Sequence, residues 1–186
     1  MPFNLETFKQ DCLSAVAEED AAKRVTRLVG KAIEDPEEVY AELGKPDRGM
    51  IEKIYVSDEL TIINVIWAPG MMIMPHNHNI WAVIGVYCGR EDNIFWRRLE
   101  DDSAGRIEAA GAKSIGPGEA QPLGSNIIHS VANPTPDFTG AIHVYGGDFF
   151  AEERSEWDPQ TLEEHPYNVD KNLKLFEDAN AMINAN

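Results

Sequence analysis

Apolar residues recur along this chain with two different periods. Up to about residue 46 the spacing is helical: Val25, Leu28, Val29, Ala32 and Ile33 fall at i, i+3, i+4, i+7 and i+8, one stripe on a helix. A further helix is delimited at both ends. Asp35 can cap it, Pro36 fits its first turn, Glu38 stands where a capping box places an acid, and Gly44 followed by Pro46 stops it. From about residue 50 the pattern shortens. Thr61 to Trp67 and Ile80 to Tyr87 are runs rich in β-branched and aromatic residues, closed by Pro69-Gly70 and Cys88-Gly89-Arg90. Asn93 to Leu99, Ala112 to Ile115, Ile127 to Val131 and Gly140 to Tyr145 continue the series. Many short strands at this spacing predict a mainly β jelly-roll barrel. The pattern turns helical and acidic again near the end: Asp158-Pro159 resembles a helix start, and Leu173, Phe176 and Met182 could share one face. The expected plan is one domain over 1–186, with an N-terminal helical segment 1–46, a barrel 47–150 and an extension 151–186 packed on it.

Composition narrows the function classes. The 186 residues are enough to bury a real core, and no run of eighteen apolar residues occurs. A formal charge of −16 argues against nucleic acid and anionic membrane surfaces as partners, and also serves solubility. The N-terminus has no basic segment followed by an apolar stretch, so the expected compartment is the cytoplasm. Cys12 and Cys88 lie far apart and suit free thiols in a reducing setting, Cys88 as a small buried hydrophobe. A small-molecule substrate is the expected partner, on a monomer or homodimer.

Candidate chemistry centres on histidine. Only five are present, and four fall between residues 76 and 143. On a strand, His76 and His78 would share one face about 7 Å apart and could converge on one ion. His129 lies in a later apolar segment whose inward positions could meet them. Three neutral imidazoles would leave a divalent cation its full charge and open positions. Each histidine alone also reads as a hydrogen-bonded core residue.

The spacing resembles the cupin superfamily. Gly70-Met-Met-Ile-Met-Pro-His76-Asn-His78 matches its first motif, with Gly89 at the closing position. Gly116, then Pro122-Leu-Gly124 after five residues, then His129 and Asn133 match the second, with four residues between Gly124 and His129 where two are usual. The glutamate ligand that normally follows His-x-His is absent, Ala82 and Val83 standing there, which is typical of three-histidine cupins. Within these, the chain is similar to cysteine dioxygenase and 3-mercaptopropionate dioxygenase. Their Ser-x-His-x-Tyr strand is matched by Ala141-Ile-His143-Val-Tyr145, whose alternation puts 141, 143 and 145 on one face.

The resemblance implies Fe(II) on His76, His78 and His129, with O2 as co-substrate and a small thiol oxidised to its sulfinate. Zinc, nickel, manganese or copper would also suit imidazole ligands. It implies that Tyr145, bonded to His143, positions substrate or oxygen and supplies a proton; a buried structural His–Tyr pair is the other reading. Ala141 replaces the relay serine, Val83 replaces the crosslinking cysteine of the animal enzyme, and Tyr55-Val-Ser57 lacks that enzyme's arginine. Arg154 falls near the carboxylate arginine of the mercaptopropionate enzymes, though Ala151-Glu-Glu-Arg-Ser could equally be a solvated turn. Trp81 and Trp67 are candidates to line the pocket or to pack in the core. Arg97 and Arg98 should point to opposite faces, Arg98 with Trp96. A β-diketone-cleaving oxygenase and a non-catalytic metal- or small-molecule-binding cupin are the alternatives. Arg154 reaching toward the metal favours the thiol enzyme; an apolar pocket with Arg154 in solvent favours the second.

Overall fold

The computed structural model describes residues 2–185. Three helices open the chain: α1 (Leu5–Val16), α2 (Ala21–Ala32) and α3 (Pro36–Leu43). Strands β1 (Met50–Val56), β2 (Thr61–Trp67), β3 (Met72–Asn77), β4 (Ala82–Cys88), β5 (Glu91–Arg98), β6 (Ile107–Ile115), β7 (Glu119–Leu123), β8 (Ile128–Ala132) and β9 (Thr139–Tyr145) follow. Two short strands, β10 (Ser155–Trp157) and β11 (Glu164–Pro166), precede the last helix, α4 (Val169–Asn184). The strands form two antiparallel sheets, ordered β1-β2-β9-β4-β7 and β11-β10-β3-β8-β5-β6.

The five-stranded sheet is apolar on both faces, which explains its near-continuous hydrophobic runs. Ile63, Val65 and Trp67 of β2, Ala82, Ile84 and Val86 of β4, and Ala141 and Tyr145 of β9 face the other sheet, meeting Ile73, Ile115 and Val131. Their sequence neighbours Ile62, Ile66, Val83, Tyr87, Ile142 and Val144 face the helices and pack on Val25, Val29 and Ile33 of the N-terminal segment. Gly85 lets α2 lie against β4: a Cβ there would stand 2.2 Å from a Val29 methyl carbon.

Local signals set the helix ends. Asp35 accepts from the Glu37 amide at the start of α3, and Gly44 closes it with φ of 80°. Glu38 does not complete a capping box; its carboxylate accepts from the Phe3 amide and ties down the N-terminal segment. The expected helix start at Asp158-Pro159 is instead a turn, because the Asp158 side chain accepts from the Gln160 and Thr161 amides between β10 and β11. Helix α4 begins later, capped by Asn168. Only Phe176 of the expected apolar trio is buried; Leu173 and Met182 are exposed. Phe176 stacks on Trp67, ring centroids 5.5 Å apart, and joins the inter-sheet core.

One irregularity bears on the site. Between Ile73 and His76, β3 advances three residues while β8 advances two, from Val131 to His129. The extra residue is a β-bulge, a place where the missing amide of Pro75 is tolerated.

Because Phe176 fills the inter-sheet core and Leu173 does not, Phe176→Ala should cost about 3–4 kcal/mol and Leu173→Ala about 0.5 kcal/mol, read from urea unfolding midpoints. Similar costs at the two positions would contradict the assigned helix face.

Candidate metal centre

Strand pairing brings the three histidines together. His76 of β3 lies opposite His129 of β8, and His78 follows just beyond the end of β3. The His78 Nε2 atom is 3.3 Å from His76 Nε2 and 3.2 Å from His129 Nε2, and all three side chains are buried. Two ligands held about 2.1 Å from a common ion at an angle near 100° are separated by about 3.2 Å, so the spacing fits a metal ion. Their outer partners fit it as well. His76 Nδ1 lies 2.9 Å from the Met74 carbonyl oxygen, and His129 Nδ1 lies 2.8 Å from Asn93 Oδ1. Both partners are acceptors, so each Nδ1 carries the proton and each Nε2 lone pair points to the centre. His76, His78 and His129 can therefore hold a divalent metal.

Burial keeps these imidazoles neutral. It lowers His76 to about 4, and the Arg154 charge adds to that effect. His78 and His129 are pushed well down, by burial first and by neighbouring imidazoles second.

A shell of aromatic groups encloses the cluster. Tyr145 stands edge-on to His78 with ring centroids 5.1 Å apart, and it stacks on Phe149 at 4.1 Å. Its hydroxyl lies 3.0 Å from His143 Nδ1, and burial raises its pKa. Ala141, His143 and Tyr145 share the inward face of β9, where Ala141 makes no relay contact. Tyr167, which no sequence signal marks, sets its ring 5.9 Å from that of His76.

Arg154 is buried between two of these rings. Its guanidinium carbon lies 3.9 Å from the Phe149 centroid and 4.1 Å from that of Tyr167. Nη1 donates to the Phe149 carbonyl oxygen, while Nε has no partner. Among the described residues no carboxylate pairs with it. The metal-binding strand holds this segment directly: Asn77 Oδ1 accepts from the Ser155 amide at 2.7 Å, Asn77 donates to Asn79 at 2.9 Å, and Asn79 donates to the Glu153 carbonyl at 2.8 Å. Arg154 and Tyr167 also line an open cleft of about 1090 Å³, which makes them the wall between that cleft and the histidines.

The other candidates lie elsewhere. Trp81 does not join the cluster. Residues 82, 84 and 86 face inward, so Trp81 falls on the helical side, with its ring against Gly146, where a Cβ would come within 2.1 Å of it. Trp67 does face inward, donating from Nε1 to Glu91 at 2.6 Å. Arg90, Arg97 and Arg98 are exposed and paired with Asp92, Glu108 and Glu164; neither Arg97 nor Arg98 points into the barrel. Sequence reasoning missed Glu91 and Asn93, although period-two alternation through Glu91, Asn93 and Phe95 was available.

No family model matches the chain. Similar solved structures include an RmlC-like cupin with a double-stranded β-helix fold from Methanocaldococcus jannaschii, at 13% identity over 57% of this chain and 86% of that one, with a TM-score of 0.46. A double-stranded β-helix protein from Klebsiella pneumoniae matches at 12% identity over 56% of this chain and 78% of that one, TM-score 0.43. Oxalate decarboxylase from Bacillus subtilis matches at 20% identity over 52% of this chain, with a TM-score of 0.40; the match spans 23% of the decarboxylase. No helix among the described residues is long and apolar enough to cross a membrane.

Two outcomes follow from this geometry. His129→Ala should lose the bound metal, whereas Asn93→Ala should keep it with affinity lowered roughly ten- to hundredfold, as read by Co(II) titration. The metal-free protein should also lose stability as pH falls. Unfolded histidine binds a proton near pH 6.5 while native His76 does so only near 4, so between these values the unfolded chain takes up protons that the native state refuses. Thermal midpoints should drop across that window, and replacing all three histidines with leucine should flatten the drop.

Proposed function

We propose that this chain is a non-haem Fe(II) dioxygenase that oxidises a small carboxylate-bearing thiol, 3-mercaptopropionate-like or cysteine-like, to its sulfinate. The observation that carries this reading is Arg154: a buried guanidinium with no anionic partner among the described residues, beside three converging imidazoles. An uncompensated buried cation is costly, and a ligand carboxylate would relieve that cost through charge-assisted hydrogen bonds. A β-diketone substrate would leave the cost in place, so the guanidinium favours the thiol acid.

His76, His78 and His129 would hold the iron and leave neighbouring positions free. Fe(II) bound there supplies the redox chemistry by which both atoms of O2 are added to sulfur, so that R–SH and O2 become R–SO2H. Arg154 would fix the carboxylate and so direct the sulfur of a short thiol toward the imidazoles. Phe149, Tyr145 and Tyr167 would exclude water around it, and Tyr145, bonded to His143, would present its hydroxyl to the reacting end.

The test is O2 consumption after anaerobic loading with Fe(II). The two thiol acids should drive uptake with matching sulfinate formation, cysteamine should do so poorly, and acetylacetone not at all. Uptake that ignores the thiols would overturn the reading. Arg154→Met should raise KM for the thiol acids by roughly tenfold or more and leave that for cysteamine little changed.

A further inference from the structure

The seat of the expected relay serine is filled by alanine, yet His143 Nε2 does not lack a partner. Glu91 of β5 supplies it. Its side chain is fully enclosed, with Oε1 3.3 Å from His143 Nε2 and accepting from Trp67 Nε1 at 2.6 Å. Its second oxygen, Oε2, is buried without a partner, and no lysine or arginine pairs with the carboxylate among the described residues.

This arrangement determines the direction of each hydrogen bond. As a carboxylate, Glu91 has no hydrogen to donate, and Oε1 accepts from the indole as well as from the imidazole, so His143 Nε2 carries a hydrogen. A neutral imidazole carries one N–H, which leaves Nδ1 as a lone pair. The Tyr145 hydroxyl, 3.0 Å from Nδ1, must then donate to it. The order of donation is Tyr145 to His143 to Glu91, with Trp67 donating to the same oxygen.

We infer that Glu91 is a positioning residue that fixes the tautomer of His143, so that Tyr145, its own hydrogen turned away, meets the ligand as a hydrogen-bond acceptor. The ligand group opposite Tyr145 is accordingly a donor; on the thiol reading, on which this inference rests, it is the S–H of an arriving thiol. A serine relay could turn either way, because a hydroxyl both donates and accepts. A carboxylate oxygen cannot.

Nitrogen-15 spectra of histidine-labelled, Zn(II)-loaded protein read the tautomer without thiol or oxygen. His143 should show hydrogen on Nε2 in the wild type, and hydrogen on Nδ1 there would overturn the inference before any variant is made. In Glu91→Leu the signal should move toward the Nδ1–H form, while Glu91→Gln, which keeps an acceptor oxygen, should restore Nε2–H. An unchanged spectrum in a folded Glu91→Leu protein that retains zinc would also overturn it. With Fe(II) and thiol, Glu91→Leu should lower kcat roughly ten- to hundredfold with KM little moved, and Glu91→Gln should recover part of that loss. Failure of thiol oxidation with the wild-type tautomer as expected would sink the dioxygenase reading and leave the assignment of Glu91 standing.

Discussion

An imidazole binds through a nitrogen that carries no proton, and the group behind the ring decides which nitrogen that is. Much of this interior follows from that constraint. The Met74 carbonyl stands behind His76 and the Asn93 carboxamide behind His129, and both turn a lone pair inward. At His143 the same rule applies with Glu91 as the acceptor, and there the free nitrogen turns to Tyr145. Three rings thus have their chemistry set by neighbours that need never touch a ligand. All of these neighbours lie on the six-stranded sheet, while His143 and Tyr145 are contributed by the five-stranded one.

Burial makes the arrangement possible and also raises what is at stake. The helices cover the outer face of the five-stranded sheet and Phe176 fills the space beside Trp67, so the polar groups inside are screened from water. In such surroundings an unpaired donor or charge is expensive. Most interior polar groups here are matched. Of the four exceptions among the described residues, Glu91 Oε2, Asn93 Nδ2 and Arg154 Nε belong to residues that surround the histidine cluster, and the fourth, Asn172 Oδ1, belongs to α4.

The sequence made the β character of the middle and the helical start readable because sheet and helix impose different apolar periods. His76, His78 and His129 were readable as a cluster because rare residues at matching strand phases have few other reasons to recur. His143 and Tyr145 were marked by the resemblance to the Ser-x-His-x-Tyr strand, and alternation put them on one face. A strand read from Asn93 leaves Glu91 with the Gly89-Arg90 turn, and one carboxamide at a strand's first position carries no signal of its own. Tyr167 and the short strands around it carry no periodic signal, since three-residue strands are too brief to alternate. Trp81 was placed by its chemistry when its phase, one residue before inward-facing Ala82, sends it outward.

The bulge in β3 has a bearing on all of this. Ile73 belongs to the inter-sheet core, and a regular strand counted from it would send residues 75 and 77 inward with it. His76 and His78 would then face away and Asn77 would enter the cluster. The single extra residue at Met74-Pro75 shifts the count by one, which delivers the imidazoles to the interior and frees the two asparagines to hold the Arg154 segment. Deleting one residue there would bring His76 two positions after Ile73, so a regular strand would still send both imidazoles inward, and the bulge that accommodates Pro75 would be gone.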